Sequence, residues 1–383
     1  MIKKNLTKHI KYLLLIVMAI PFCMISAGCH DSKDINEKLI ATAVACDYKD
    51  DEILFYVEFA DISKRQGPDG GGGAEYIFVK AYGKTLPEVR ANLNNQIDKP
   101  IFLSAVRALI LTESFANEYF VEYLYRFRAD ENYRKKIETV ITMDDLETIF
   151  STSHQKEESV GFMIEGLLQS QAELGKSFSR NTMRVIENAS GNYTGQLIHC
   201  IGMQEKEIAI TGYSVIDNNK VAGFIPVEEA KGVVFWKADN PKFSYIVPYN
   251  DINLTIEVEL KKRKMTASYE NGQIGFDIKM EFDAELLYGD QKTPYNFEEA
   301  ATKEVTELLT EMLLKEFYVT VEQSLNKYKT DYLQMDDEFR IRYPEAFEDM
   351  DWKNEYPKSE ITISVNVDLS TTYMMDYGAV DVK

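Results

Sequence analysis

The residue whose surroundings point most directly to chemistry is Cys29. It follows three small residues, Ser26 to Gly28, which end an apolar run that begins at Tyr12. Four lysines and no acidic residue precede that run: Lys3, Lys4, Lys8 and Lys11. A basic start, a short apolar stretch and small residues before a cut are the marks of an export signal. Residues 1–28 are therefore predicted to be a removable signal peptide.

The segment Ser26-Ala27-Gly28-Cys29 resembles a bacterial lipobox. The resemblance implies that the Cys29 thiol takes a diacylglyceryl group through a thioether and becomes the N-terminus of a mature lipoprotein. Each buried CH₂ of such acyl chains, palmitate among them, contributes about 0.8 kcal/mol, and two chains give stable membrane attachment. An uncleaved transmembrane anchor is the alternative, because the run from Tyr12 to Gly28 is close to the lower limit of about 17 residues for a membrane-spanning helix.

The other cysteines of the mature chain are Cys46 and Cys200, since Cys23 leaves with the signal. Outside the cytoplasm two cysteines can form a disulfide. Their large separation along the chain says nothing about their distance in space. We expect two buried free thiols, and a Cys46–Cys200 pair stays the alternative.

A catalytic centre is not indicated by any motif. The chain lacks the G-x-S-x-G, H-E-x-x-H, C-x-x-C and dinucleotide-binding patterns. His154 and His199 lie in stretches predicted to be polar loops without neighbouring ligands, which favours structural roles. Adjacent carboxylates are interpreted as turn and helix-cap residues rather than as glycosidase acids: Asp50-Asp51, Asp144-Asp145 and Asp336-Asp337. We expect no enzymatic activity, no metal site and no cofactor.

The composition excludes several classes of protein. Hydrophobic residues make up 45% of the chain and aromatic residues 12%, so it can bury cores and is not globally disordered. The 62 acidic residues against 43 basic ones give a net charge of −19, which argues against a nucleic-acid partner. Four Cys and four His are too few for a disulfide framework and argue against a Cys/His zinc cluster.

Hydrophobic periodicity predicts alternating strands and helices in the first half of the chain. A capping box, Thr85-x-x-Glu88, begins a helix that Pro100 is expected to close. Strands are predicted at Leu39–Asp47, Ile53–Phe59, Glu75–Tyr82, Ile101–Leu111 and Lys136–Thr142, and further helices at Ser114–Phe127, Asp144–Phe150, Val160–Leu174 and Thr182–Glu187.

The second half is predicted to be richer in strands and to contain one long helix, Phe297–Tyr328. The sequence Glu270-Asn271-Gly272 is typical of a hairpin turn between two long strands. Strands are predicted at Ile208–Ile216, Val221–Ile225, Val233–Trp236, Phe243–Val247, Asn253–Met265, Ile274–Tyr288 and Ile361–Leu369.

These elements predict an α+β, multi-domain protein with mixed or mostly antiparallel sheets flanked by helices. The main boundary is placed near residue 200. It separates an N-terminal α+β domain, 29–200, from a C-terminal region, 201–383. That region is divided into a β-rich subdomain at about 201–250 and an α+β domain with the long helix at 251–383.

Residues spread along nearly the whole chain follow the order of one known family. They are Cys29, Asp31, Ile35 and Asp47; Pro100 to Glu113; Gly212 to Val215; Lys220 to Phe224; Glu228, Glu229, Gly232 and Trp236; and, in the tail, Gln323, Asp336, Phe339, Tyr343-Pro344 and Trp352. In this order they resemble the Ger(x)C family of spore germination lipoproteins, with His30 in place of the family's usual Trp.

The resemblance implies the C subunit of a nutrient germinant receptor. Such a subunit is anchored by its lipid at the outer face of the spore inner membrane and acts in germination with two membrane-embedded partners, the A and B subunits. It implies three domains and no known enzymatic activity. The alternative is an extracytoplasmic solute-binding lipoprotein, which requires a ligand cleft between two α/β lobes. A cell-envelope hydrolase is a weaker third hypothesis.

Overall fold

The computed structural model describes residues 37–61, 75–134, 136–156, 158–179, 181–190, 195–289 and 299–370. The predicted signal peptide and Cys29 lie outside these ranges. Within them the chain forms two β-sheets, each covered by helices. This architecture confirms the predicted α+β class.

The first sheet is mixed. Its order is β3-β2-β1-β5-β6-β7-β8-β9, and the short β4 pairs with β1. Strands β1, β5, β6 and β7 run parallel to one another, and the outer pairs are antiparallel. The strands are β1 Leu39–Lys49, β2 Glu52–Asp61, β3 Glu75–Gly83, β4 Ile101–Phe102, β5 Ala108–Thr112, β6 Glu138–Thr142, β7 Gly195–Gln204, β8 Glu207–Asp217 and β9 Lys220–Pro226.

Within the described ranges, helices cover both faces of this sheet: α1 Leu86–Asn94, α2 Glu113–Ala129, α3 Leu146–Lys156, α4 Val160–Glu173 and α5 Thr182–Ser190. Helices α1, α2 and α5 pack on one face of the sheet, in an apolar core that includes Val44 and Leu109. Helices α3 and α4 pack on the other face, in a core that includes the preceding strand residues Ala43 and Ala108. Successive strand residues point to opposite faces, so the continuous apolar runs of β1 and β5 serve both cores.

The second sheet has the order β10-β11-β12-β13. Its first three strands are antiparallel, and β13 returns parallel to β12. The left-handed turn at Asn271 and Gly272 (φ 53° and 81°) joins β11 to β12 as predicted. The elements are α6 Lys231–Lys237, β10 Lys242–Tyr249, β11 Ile252–Glu270, β12 Gln273–Gly289, α7 Glu299–Glu322, α8 Met335–Arg342, α9 Pro344–Glu348, α10 Trp352–Glu355 and β13 Glu360–Ser370.

The strand predicted at Val233–Trp236 is wrong, because these residues lie in helix α6. All four are at most 4% exposed, so the segment shows no amphipathic period. A short apolar run buried on every side cannot be assigned to strand or helix by periodicity. Gly232 lets α6 approach α7, since a Cβ there would lie 2.2 Å from Thr320 Oγ1.

Three further expectations need correction. The predicted strand 101–111 is interrupted by a 3₁₀ turn, Leu103–Ala105, between β4 and β5. Helix α1 ends at Asn94, well before Pro100. Strand β7 was not predicted, although all of its first eight residues are buried. Its glycines and polar residues hide the apolar pattern.

The boundary expected near residue 200 falls inside β7. This strand pairs with β6 on one side and with β8 on the other, so the first sheet continues through β9 to Pro226. The second sheet begins at β10, after helix α6. In the structure the change from one sheet to the other therefore lies between residues 226 and 242.

A buried carboxylate connects the central strands to helix α4. Glu58 on β2 is fully buried, and its oxygens accept hydrogen bonds from Thr42 Oγ1 (2.6 Å) and Ser159 Oγ (2.5 Å). They also accept the backbone amides of Val160 (2.9 Å) and Gly161 (3.4 Å) at the start of α4. Free amides and the positive end of the dipole at a helix N-terminus favour a carboxylate there.

We predict that Glu58→Ala lowers the free energy of unfolding by roughly 3 kcal/mol, because four buried donors lose their acceptor. The measurement is denaturant unfolding of the full chain. Glu52→Ala, on an exposed position of the same strand, is the matched control and should change stability by less than about 0.5 kcal/mol. Equal effects of the two substitutions would contradict this role of Glu58.

Candidate functional site: the cleft between the two sheets

The cysteines inside the described ranges are buried and free. Cys46 lies on β1 and Cys200 on β7. The strand register places them in one row, Cys46–Leu111–Ile141–Cys200. Three strand spacings put their Cα atoms roughly 14 Å apart, whereas a disulfide needs about 4.4–6.8 Å. The expectation of two free thiols is confirmed.

Neither His154 nor His199 lies in a loop, which corrects the prediction for both. His154 is in helix α3, and His199 is on β7, where it is 1% exposed. Nε2 of His199 is 2.8 Å from Ser177 Oγ, which is 3.0 Å from the hydroxyl of Tyr213. The Phe178 ring stacks on Tyr213 with centroids 4.9 Å apart. These contacts give His199 a structural role, and the described ranges hold no group of three or more residues suited to binding a metal ion.

A cleft of about 600 Å³ lies between the two sheets. One wall comes from the segment between α4 and α5 and from α5 itself. The other comes from the end of α6, from β11 and from the start of α8. We call this the junction cleft; it is lined by Ala172, Ser177, Phe178, Ser179, Asn181, Arg184, Asn188, Trp236, Lys237, Asp239, Arg263, Met265, Leu333, Gln334 and Asp337.

The α5 wall supplies hydrogen-bond donors. Asn181 caps the helix by accepting the Arg184 amide with its side chain (3.3 Å). Arg184 and Asn188 are four residues apart, so they lie on one face of α5. Asn188 is 8% exposed, and its Nδ2 has no hydrogen-bond partner among the described residues. A buried amide donor without an acceptor is uncommon in proteins.

The opposite wall is held by side chains that satisfy carbonyl groups. Arg263 Nη1 on β11 donates to the carbonyl of Phe235 (3.2 Å) and to that of Trp236, both at the end of α6. The indole Nε1 of Trp236 donates to the carbonyl of Leu333 (3.0 Å). Helix C-terminal carbonyls lack intrahelical partners, so Arg263 both closes α6 and places its positive charge at the junction cleft.

The charges of the junction cleft differ from those of the rest of the chain. Arg184, Lys237 and Arg263 line it together with two acids, Asp239 and Asp337. Asp337 is paired with Arg340 at 2.9 Å. In a chain of net charge −19 this is a local excess of cations and N–H donors.

A second cavity of about 510 Å³ lies on the first sheet, between α1 and α2. Its floor is apolar and includes Val57 and Phe127, which are each 2% exposed. At its rim the ion pair Arg90–Asp130 (3.0 Å) bridges α1 to the end of α2. Because the charges at this rim are paired with each other, this cavity has a smaller excess of hydrogen-bond donors over acceptors than the junction cleft.

Each sheet with its covering helices forms one unit of the molecule. The segment from residue 323 to residue 359, which we call the clamp segment, connects the two units. It belongs to the core of the second sheet, yet it also contacts the first. Tyr328 donates its hydroxyl to the carbonyl of Phe224 on β9 (2.7 Å), and Lys353 pairs with Asp217 on β8 (2.8 Å). A Cβ at Gly195 on β7 would lie 2.3 Å from the Thr330 methyl group, so the segment packs directly on that strand.

The family-like residues of the tail are structural parts of the clamp segment. Gln323 donates to Glu229 Oε2 (2.7 Å), and Phe339 is fully buried. Asp331, which the sequence did not single out, is the centre of the segment: it is 2% exposed and accepts the amides of Met335 (3.0 Å) and Asp336 (2.8 Å). It also accepts the indole N–H of Trp352 (3.1 Å).

Asp336 is the buried neighbour of Asp331. Burial, and then the charges of Asp331 and Asp337, raise the pKa of Asp336 to about 8. An aspartate in the unfolded chain loses its proton near pH 4. Between about pH 4 and pH 8 the folded chain therefore holds a proton that the unfolded chain does not, so this group makes the folded state less stable as the pH rises.

We predict that Asp336→Asn is more stable than the unchanged chain by an amount that grows from about pH 4 to pH 8 and is constant above that, because the amide needs no proton. Urea unfolding at a series of pH values measures the difference. Asp349→Asn, at an exposed position of the same segment, should show no such growth. A difference for Asp336→Asn that does not change with pH would disprove the buried-proton account.

Among the described residues, no helix has the length and hydropathy needed to cross a membrane.

Comparison with known proteins identifies two family matches. The family described as "Spore germination protein N-terminal domain" matches residues 31–201. The family described as "Spore germination B3/ GerAC like, C-terminal" matches residues 211–373. Together they span most of the chain, and they meet within strands β7 and β8.

Curated relatives from Bacillus subtilis (strain 168) match over most of their length. Spore germination protein B3 is 20% identical over 88% of this chain and 90% of its own, and spore germination protein A3 is 22% identical over 90% and 94%. The crystal structure of the GerBC protein matches with a TM-score of 0.56 at 15% identity, covering 85% of this chain and 96% of that one. The last match shows a shared fold.

Proposed function

Since the chain belongs to the GerAC-like family of spore germination proteins, we propose that it is the lipid-anchored C subunit of a nutrient germinant receptor. In this role it is held at the outer face of the spore inner membrane and acts with the A and B membrane subunits in the germination signal. It carries out no reaction of its own.

The observation that carries the proposal is the order of the segments. The N-terminal family match begins at residue 31, two positions after Cys29. The lipobox-like residues 26–29 and the apolar run before them therefore precede the family domains, where an export signal and an anchor belong. Two acyl chains on Cys29 would hold an acidic chain at a membrane whose anionic lipids do not attract it.

The described polar groups support a contact role rather than catalysis. Among the acidic and histidine side chains of the described residues, Glu58, His199 and Asp331 are the most buried, at 0%, 1% and 2% exposed, and each is engaged by hydrogen bonds inside the fold. A catalytic acid, base or nucleophile needs access to a substrate. These groups do not have that access.

A row of exposed apolar side chains on the second sheet suits contact with a protein partner. The register Ile246–Thr255–Tyr288 puts these residues side by side on the outer face of β10, β11 and β12. Ile246 is 64% exposed and Tyr288 60%, and Leu287 next to it is 47% exposed. Large apolar and aromatic side chains at the centre of an interface carry much of its binding energy. We assign this row to contact with the A or B subunit.

Alkyne-labelled palmitate tests the anchor. In the unchanged chain we expect the label on Cys29, and in Cys29→Ala we expect loss of the label, release of the protein from membranes and an impaired germination response to nutrients, because the thioether cannot form. Cys23→Ala, inside the predicted signal, is the matched control and should behave like the unchanged chain. Retained label with a normal nutrient response in Cys29→Ala would refute the proposal.

Co-purification tests the contact row. The double substitution Ile246→Lys with Tyr288→Lys should reduce recovery of the A and B subunits about tenfold or more, since loss of apolar contacts at an interface centre commonly has effects of this size. Ser244→Lys is the control, because Ser244 is exposed on the same strand and face. Equal recovery with all three proteins would place the contact elsewhere on the molecule.

A further inference from the structure

The junction cleft has features of a binding site that its structural role does not explain. Each group that closes α6 or caps α5 has a partner within the fold, but the Nδ2 of Asn188 has none among the described residues. Asn188 is one of the residues that line the cleft, and it is more than nine-tenths buried. A buried donor without an acceptor is unfavourable, so an acceptor from outside the chain would be bound favourably there.

The neighbouring groups define the chemistry of such an acceptor. Arg184 is on the same face of α5, and Lys237 and Arg263 face the cleft from the other wall. Ser179 also lines it, whereas the Ser177 hydroxyl is already engaged by His199 and Tyr213. Cations and neutral donors from three elements are therefore gathered around one volume. Oxygen anions, with several lone pairs on a compact charged group, are the acceptors that this set satisfies best.

The acids of the cleft do not cancel this preference. Asp337 is engaged by Arg340, which lies outside the lining. Arg184 in turn lies 4.0 Å from Glu187, which is also outside the lining. Asp239 is then the one acid of the lining set against two cations, Lys237 and Arg263. The cleft therefore keeps an excess of positive charge, and at about 600 Å³ it falls inside the roughly 300–1,000 Å³ of small-molecule sites, which often lie between domains.

We propose that the junction cleft binds a small molecule through a carboxylate or phosphate group. The oxyanion lies between Arg184 and Asn188 on α5 and Lys237 and Arg263 on the opposite wall. Because these walls belong to different sheets, the ligand connects the two units and stabilises one arrangement of them. This proposal does not depend on the anchor at Cys29 or on the receptor partners.

The chain contains its own reporter for this site. Of its two tryptophans, Trp236 lines the cleft and Trp352 is buried in the clamp segment. The experiment titrates the full chain, reconstituted in nanodiscs of neutral lipid, with inorganic phosphate and in a separate series with succinate. Sodium chloride at equal ionic strength is the reference. A saturable change in tryptophan fluorescence is expected for at least one of the two anions, and which one responds identifies the phosphate or carboxylate source.

Three variants make the test specific. Arg184→Glu should weaken binding about tenfold or more, because it replaces a positively charged donor by a group with the same negative charge as the ligand. The exposed arginine at the end of α2, changed as Arg128→Glu, is the matched control and should bind like the unchanged chain. Asn188→Leu should weaken binding several-fold, because the ligand loses a hydrogen-bond donor. It should not lower the melting temperature, because the donor that is removed has no partner among the described residues.

The results separate the outcomes clearly. A response equal to that of sodium chloride, or equal affinities of Arg184→Glu and the unchanged chain, would overturn the proposal. A lower melting temperature for Asn188→Leu with unchanged affinity would also overturn it, because Asn188 would then serve the fold alone. Failure here leaves the palmitate and co-purification results untouched, so the two proposals are distinguishable.

Discussion

The buried carboxylate of Asp331 is the interaction on which the arrangement of the two sheets depends. Gln334, at the start of α8, is in the left-handed conformation (φ 62°) and does not cap the helix with its side chain. Asp331 instead accepts the first amides of α8 and the indole N–H of Trp352. A buried charge is tolerated only when hydrogen bonds replace its water. The fold of the clamp segment follows from that requirement.

Once the clamp segment is fixed, it connects the sheets at several points. Its tyrosine and lysine side chains reach β9 and β8, and its backbone packs on Gly195 of β7. Trp236 donates to Leu333, which extends this packing to α6. The walls of the junction cleft are therefore positioned by the same contacts that hold the units together. Any ligand of the cleft would act directly on that arrangement, because it would contact residues of both units.

Several parts of this structure were predictable from local patterns. The β1–β2 hairpin with Asp50-Asp51 in its turn, the Asn271-Gly272 hairpin and the Thr85 capping box each depend on residues within a few positions of one another. The helix at 231–237 and strand β7 were not predictable, since burial on all sides or interspersed polar residues removes the periodic signal. The role of Asp331 was missed as well. A lone aspartate in a loop gives no local sign that three donors from two later helices converge on it.

The sequence by itself determined the α+β class, the net acidic charge and the order of residues that marks the family, and it predicts an export signal with a lipobox-like cysteine. Each of these depends on composition, on a local motif or on the order of residues along the chain. Tertiary structure decided that one sheet continues across residue 200, that Cys46 and Cys200 are too far apart to pair, and that Arg184, Asn188, Lys237 and Arg263 share one cleft. Those outcomes depend on long-range strand pairing and on the packing of distant helices, and spacing along the chain does not encode either one directly.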